Sequence, residues 1–165
     1  MDKNSAPNKV YSQRSSHHAF ILWGDKFEEE VTTVFATELR RAGLSVKLVG
    51  VAGPKAAGAH GLVISCDLTL SDALLLAQQA ICLVLPCSVT AIKRIENDPR
   101  VHQLFQLIGQ NQGQFIVQHA AAIEHLAAQP LAVSQATFAV YNEGQDLIGF
   151  ARRLAGELAT GVAYS

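Results

Sequence analysis

The feature that most constrains this chain is a repeated alternation of short, predominantly apolar runs with amphipathic stretches. The runs are AFILW (19–23), SVKLVGV (45–51), GLVISC (61–66), ICLVLP (81–86), QFIVQ (114–118) and TFAVYN (137–142). Runs of this length read as strands, and those with apolar residues at consecutive positions, such as AFILW and ICLVLP, read as covered on both faces. Between them, Phe27, Val31, Val34, Phe35, Leu39 and Ala42 recur at helical spacing, after Asp25 and Glu28 as a helix-start pair and before Gly43 as a stop. Ser71 to Ala80 reads as a second helix. Asp98-Pro99 opens a third, with Val101, Leu104, Phe105 and Ile108 as its buried stripe and Gly109 as its expected end. AAAIEHLAA (120–128) and GQDLIGFARRLAGELA (144–159) complete the series. Strands that alternate with helices predict an α/β three-layer sandwich: a mostly parallel sheet with helices on both faces.

With 49% apolar and 16% charged positions among 165 residues, the chain can bury a core of its own. Residues 1–17 are rich in Ser, Asn and Lys and show no apolar periodicity, so a disordered polar tail is expected there, with one domain over 18–165. The start has no apolar central stretch of a secretory signal, and no window is long and apolar enough to span a bilayer. A cytoplasmic protein without membrane contact is expected. Cys66, Cys82 and Cys87 are odd in number, and two of them lie in or beside runs that read as buried strands, so reduced thiols are expected. A formal charge of −1 gives no footprint for nucleic acid.

Ligands bind such sheets at the carboxyl ends of the strands. Three ends stand out: Trp23-Gly24-Asp25 followed by Glu28-Glu29-Glu30, then Pro86-Cys87-Ser88, then Gln118-His119-Ala120. A residue on a tight strand-to-helix turn sees the helix amides, which favour negative charge, and His119 holds that kind of position. Gly24, Asp25, Cys87, Ser88, His119 and Ala120 are therefore the expected ligand-binding residues. His17-His18 falls in the tail, and His60, His102, His119 and His125 have no recognised ligand spacing, so no metal is expected. The glycines of VGVAGPKAAGAHG do not form a dinucleotide fingerprint, and no phosphate loop occurs, so no cofactor is expected.

The segments AFILWGDKFEEEV, LRRAGLSVKLVGVAG, VISCDLTLSDA, LVLPCS, GQFIVQHAA and GQDLIGFARRLAGELA, in this order, resemble the ThiJ/PfpI family of the class I glutamine amidotransferase-like superfamily. The resemblance runs from about Ala19 to Ala159. It implies a flavodoxin-like sandwich, usually homodimeric, with a reactive cysteine on the elbow, a glutamate from the first helix beside it, and glycines after the LP turn. Carried over position by position, the elbow cysteine falls on His119, the glutamate on Val31 and the glycines on Cys87 and Ser88. A one-residue slip would put Gln118 on the elbow and still leave no thiol there.

Two readings follow. In the first, the chain is a catalytically inactive member that binds a small molecule or regulates a partner. In the second it is a hydrolase or glyoxalase-like enzyme whose nucleophile has moved to Cys87 or His119, with Glu29 or Glu30 as proton carrier. A third possibility is a sensory domain whose partner carries the DNA-binding part. Cys66 and Cys82 read as core thiols.

Overall fold

A computed structural model describes residues 17–129, 136–142 and 144–163. The expected tail lies outside the described residues except for His17. Six strands form one sheet: β1 (His18–Trp23), β2 (Ser45–Gly50), β5 (Leu68–Thr69), β6 (Ala80–Val84), β7 (Gln114–Val117) and β8 (Thr137–Val140). Their order is β5-β2-β1-β6-β7-β8, and every pairing is parallel. Two further strands, β3 (Lys55–Ala57) and β4 (Val63–Ser65), pair antiparallel as a separate hairpin.

Alternate residues of the central strand point to opposite layers, as the strand period requires. Phe20 and Leu22 of β1 join one core, and Ala19 and Ile21 join the other. The first core is covered by α2 (Leu70–Leu76), α3 (Val89–Ile95), α4 (Pro99–Gln110) and α5 (Ala120–Ala127). Its centre is aromatic: Phe105 meets Phe115 edge-on at 5.8 Å between ring centroids. The second core lies under α1 (Glu29–Arg41) and α6 (Leu147–Ala163), where Phe35 packs on Tyr141 and Phe150. These two helices are also clasped by charge. Glu38, buried, accepts from Arg152 Nε at 3.1 Å and Nη2 at 3.3 Å and from Arg41 Nη1 at 3.1 Å, and Arg152 above all holds its carboxyl below the usual range.

Several sequence expectations are met locally. Asp98 caps α4 by accepting from Arg100 N at 2.9 Å, with Pro99 at the first position, and Gly43 follows α1 at a φ of +86°. Others need correction. GLVISC is not a strand of the main sheet. Only Val63–Ser65 is extended, in the hairpin with Val63 exposed, and the sheet position is filled by the two-residue β5. Gly109 does not end its helix: it is buried within α4, and the chain turns at Gln112, whose φ is +59°. Asp25 is not the cap of α1. The cap position is Glu28, and Asp25 Oδ1 accepts from Ala57 N at 3.3 Å instead, tying the loop to β3. Helix α3 was not expected. It starts at Ser88, whose hydroxyl accepts from Ala91 N at 3.3 Å.

Candidate functional site

The carboxyl ends of β1, β6, β7 and β8 converge beside the start of α1. A backbone bond from Glu28 N to Pro86 O at 2.9 Å fixes that helix start against the LP turn. Over this junction lies a cavity of about 200 Å³ whose walls include Glu28, Glu30, Val31, Gln118, Tyr141, Asn142, Gln145 and Leu147. Parallel β7 and β8 deliver its floor. Gln118 follows the last residue of β7, is 5% exposed, and its amide nitrogen donates to Glu28 Oε1 at 2.9 Å. Tyr141 follows β8, and its hydroxyl donates to Leu85 O at 3.2 Å.

The polar groups here are tuned by burial and by the charge of Glu28. Cys87, 3% exposed, has its thiol pushed up to about 12, by burial first and then by Glu28, with Arg94 opposing weakly. The Tyr141 phenol is raised by burial, then by Glu28 and Cys87. A thiol so placed is a neutral, inert group near neutral pH. Cys82 lies fully buried in β6 and is likewise pushed up to about 12, while half-buried Cys66 is raised by burial and by Asp67.

A second cleft, about 530 Å³, lies on the other side of the α1 start and shares Glu28, Glu30 and Val31 with the first. Its far wall is the tip of the β3–β4 hairpin. Glu29 ties that tip down: Oε1 accepts from His60 N at 2.8 Å and Leu62 N at 3.2 Å, and Oε2 pairs with His60 Nδ1 at 3.0 Å. Burial pushes its carboxyl up, but the His60 ring and the backbone amides outweigh this and hold it at about 2.

No family profile and no curated protein sequence matches the chain. Solved structures do. DJ-1beta of Drosophila melanogaster aligns with 90% of this chain and 96% of its own at a TM-score of 0.66 and 18% identity. Oxidized DJ-1 of Toxoplasma gondii covers the same shares at 0.68 and 14%. A ThiJ/PfpI domain protein from Brachyspira murdochii aligns with 88% of this chain and 97% of its own at 0.65 and 18%. The chain has the DJ-1/ThiJ/PfpI fold.

Within the DJ-1/ThiJ/PfpI fold, the expected site residues do not gather at one point. His119 caps α5 with φ −138° and ψ 153°, ordinary extended backbone rather than a strained elbow. Its side chain is exposed, makes no capping bond and does not line the 200 Å³ cavity. Ala120, the first residue of α5, is exposed beside it. Ser88 serves as the α3 cap at φ −70°, so the turn after Pro86 does not use the left-handed conformation that glycine favours. Gly24 is buried, with room for a Cβ limited by the Phe27 ring at 3.2 Å, and Asp25 is exposed and turned to the hairpin. Val31, buried, lines the cavity where the resemblance puts a glutamate. Glu30 is exposed on the rim of both clefts.

The groups that do meet are Glu28, Gln118 and Tyr141, with Asn142 and Gln145 at the mouth. Sequence reasoning held Glu28 only as the helix-start partner of Asp25 and one of three glutamates after the first strand, and Gln118 only beside His119 at a strand end or on the elbow after a one-residue slip. It missed Tyr141, although that residue stands at the carboxyl end of the last apolar run. Among the described residues, no three His, Cys, Asp or Glu side chains come close enough to hold a metal ion, and no helix is long and apolar enough to cross a membrane.

Proposed function

We propose that the chain, as one domain over residues 18–165, is a catalytically inactive DJ-1/ThiJ/PfpI-like protein. It binds a small molecule in the cavity between Glu28, Gln118 and Tyr141, and serves as a regulatory module, cytoplasmic and homodimeric. One observation carries the reading: the buried side chain at the end of β7 is a carboxamide bonded to a carboxylate, with no attacking atom, and the nearby thiol of Cys87 is neutral and covered. An amide, a phenol, a carboxylate and apolar walls are recognition groups, suited to orienting a bound molecule. The dimer draws support from the resemblance and from the adjacent exposed apolar side chains Leu62 and Val63, and light scattering checks it.

The test is turnover. Consumption of a glyoxal and hydrolysis of amide substrates should stay at the uncatalysed background for the native chain, and should be unchanged by Cys87→Ser or His119→Ala. Activity abolished by either substitution would establish the alternative, an enzyme with a relocated nucleophile.

A further inference from the structure

The main sheet ends in two outer strands, and the chain treats them differently. On one side β5 is only two residues long, so most of β2 runs beside it unpaired. There the outward backbone of Leu48 is closed by an acidic residue. Asp67 Oδ2 accepts from Leu48 N at 2.8 Å, Asp67 N donates to Leu48 O at 2.8 Å, and Arg40 Nη2 stands 3.7 Å from the same carboxylate. A short strand with a charged plug beside it is a guarded edge.

The other side has no such guard. Among the described residues no strand lies beyond β8, whose sequence TFAV carries neither charge nor proline and whose pairing with β7 has no bulge. Tyr141 N donates to Val117 O at 2.9 Å, and alternate residues of a parallel strand bond to the same neighbour. Thr137 and Ala139 therefore turn their backbone groups to β7, and Phe138 and Val140 turn theirs outward. The next outward amide, Asn142 N, is taken by Gln145 Oε1 at 3.3 Å. Among the described residues nothing takes the outward groups of Phe138 and Val140. Phe138 packs on Phe115 at 5.7 Å between ring centroids, which holds the edge in place.

Two outward residues, spaced by one, fit their own copy. Set antiparallel across a two-fold axis at Ala139, a second copy brings its Val140 opposite Phe138 and its Phe138 opposite Val140. Each of these pairs exchanges two N–H···O bonds, so four bonds form and no outward donor or acceptor of β8 is left over on either chain. Phe against Val is a favourable cross-strand pair, and Ala139 meets Ala139 on the other face without bulk or charge. Such a contact is isologous and closes at two copies.

We propose that β8 is a self-pairing edge, through which two copies join their six-stranded sheets into one. This rests on the reading of the chain as a homodimer and names the surface that pairs. Two four-residue strands bury less than the roughly 1,200 Å² of a stable interface, so the association is weak and follows concentration.

The experiment follows the native chain by sedimentation from micromolar to near-millimolar concentration, with amide hydrogen exchange read by NMR on the same samples. Dimer should form as concentration rises, and the Phe138 and Val140 amides should become protected in step with it, while Ala139, bonded to β7 in either state, stays constant. Val140→Pro removes two of the four bonds and spares the β7 ladder, so it should weaken association about tenfold or more. Thr137→Lys puts a charge on the exposed first residue of the edge and should weaken it as well, which keeps the test open if the proline variant does not fold. A dimer in which Phe138 and Val140 exchange as fast as in the monomer overturns the edge assignment and leaves the homodimer. So does a dimer lost in Val63→Glu and kept in Val140→Pro. Slow exchange of both amides already in the monomer means that the edge is covered within one chain, and also overturns the assignment. A chain that stays monomeric throughout refutes the pairing and the homodimer together.

Discussion

The Cys87 thiol should react about a thousandfold more slowly than an ordinary cysteine at neutral pH, because its ordinary value of 9.0 is moved to about 12 and only the thiolate attacks. The shift has two sources, in order: burial at 3% exposure, and the Glu28 carboxylate that faces the same junction. Iodoacetamide alkylation, followed by peptide mass mapping across pH 6–10, reads the rate at each cysteine. At Cys87 the rate should climb about tenfold per pH unit without a plateau. Half-buried Cys66 should label first and Cys82, fully covered in β6, last. In denaturant all three should converge, since the protection is tertiary. A Cys87 rate at pH 7 equal to that of a free thiol, or a plateau below pH 9, would refute the reasoning and reopen the case for a nucleophile at the LP turn.

Tyr141→Phe should cost about 1 kcal/mol, since Leu85 O keeps the bond from Cys87 N at 2.8 Å, and should lower Tm by roughly 2–4 °C; an unchanged melting curve argues that the phenol is not bonded in solution. Gly58→Ala should free the hairpin tip, because a Cβ there lies 2.5 Å from the Glu29 carboxyl; the readout is faster amide exchange at His60 and Leu62, with exchange unaltered as the contrary result. The same two amides report pH. Glu29 is depressed from 4.5 to about 2 on folding, so its anchoring is fully present above about 4.5 and lost as pH falls toward 2; protection lost well above pH 5 counts against it.

How much of this was readable beforehand depended on whether burial left a trace in the pattern. Strands β1, β2, β6 and β7 and helices α1, α4 and α6 announce themselves because unbroken apolar runs and helical stripes have few other uses. GLVISC misled because an apolar run on an exposed hairpin looks like one in a sheet; Val63, 61% exposed, carries no mark of that in the sequence. Helix α3 is seven residues long, too short for a convincing stripe, though Ser88 three residues before Ala91 was a usable cap signal. At the site, Phe115, Ile116 and Val117 are all buried, so no alternation tells which of Gln118 and His119 turns inward. The count that placed His119 on the elbow could not see that Gln118 is the covered residue. Glu28 was hidden in a run of three glutamates whose members go to three different places: the cavity, the hairpin and the rim.

The order β5-β2-β1-β6-β7-β8 has a consequence for the nascent chain. The first described strand to be synthesised, β1, is an interior one, and its second neighbour, β6, is made roughly sixty residues later, a wait of roughly 3–12 s at about 5–20 residues per second. Until then Phe20, Ile21 and Leu22 stand beside an open row of amides and carbonyls on the β6 side. Translation therefore exposes a sticky edge that the finished protein never shows, and this is where a chaperone, or a misfolded sibling, would first take hold.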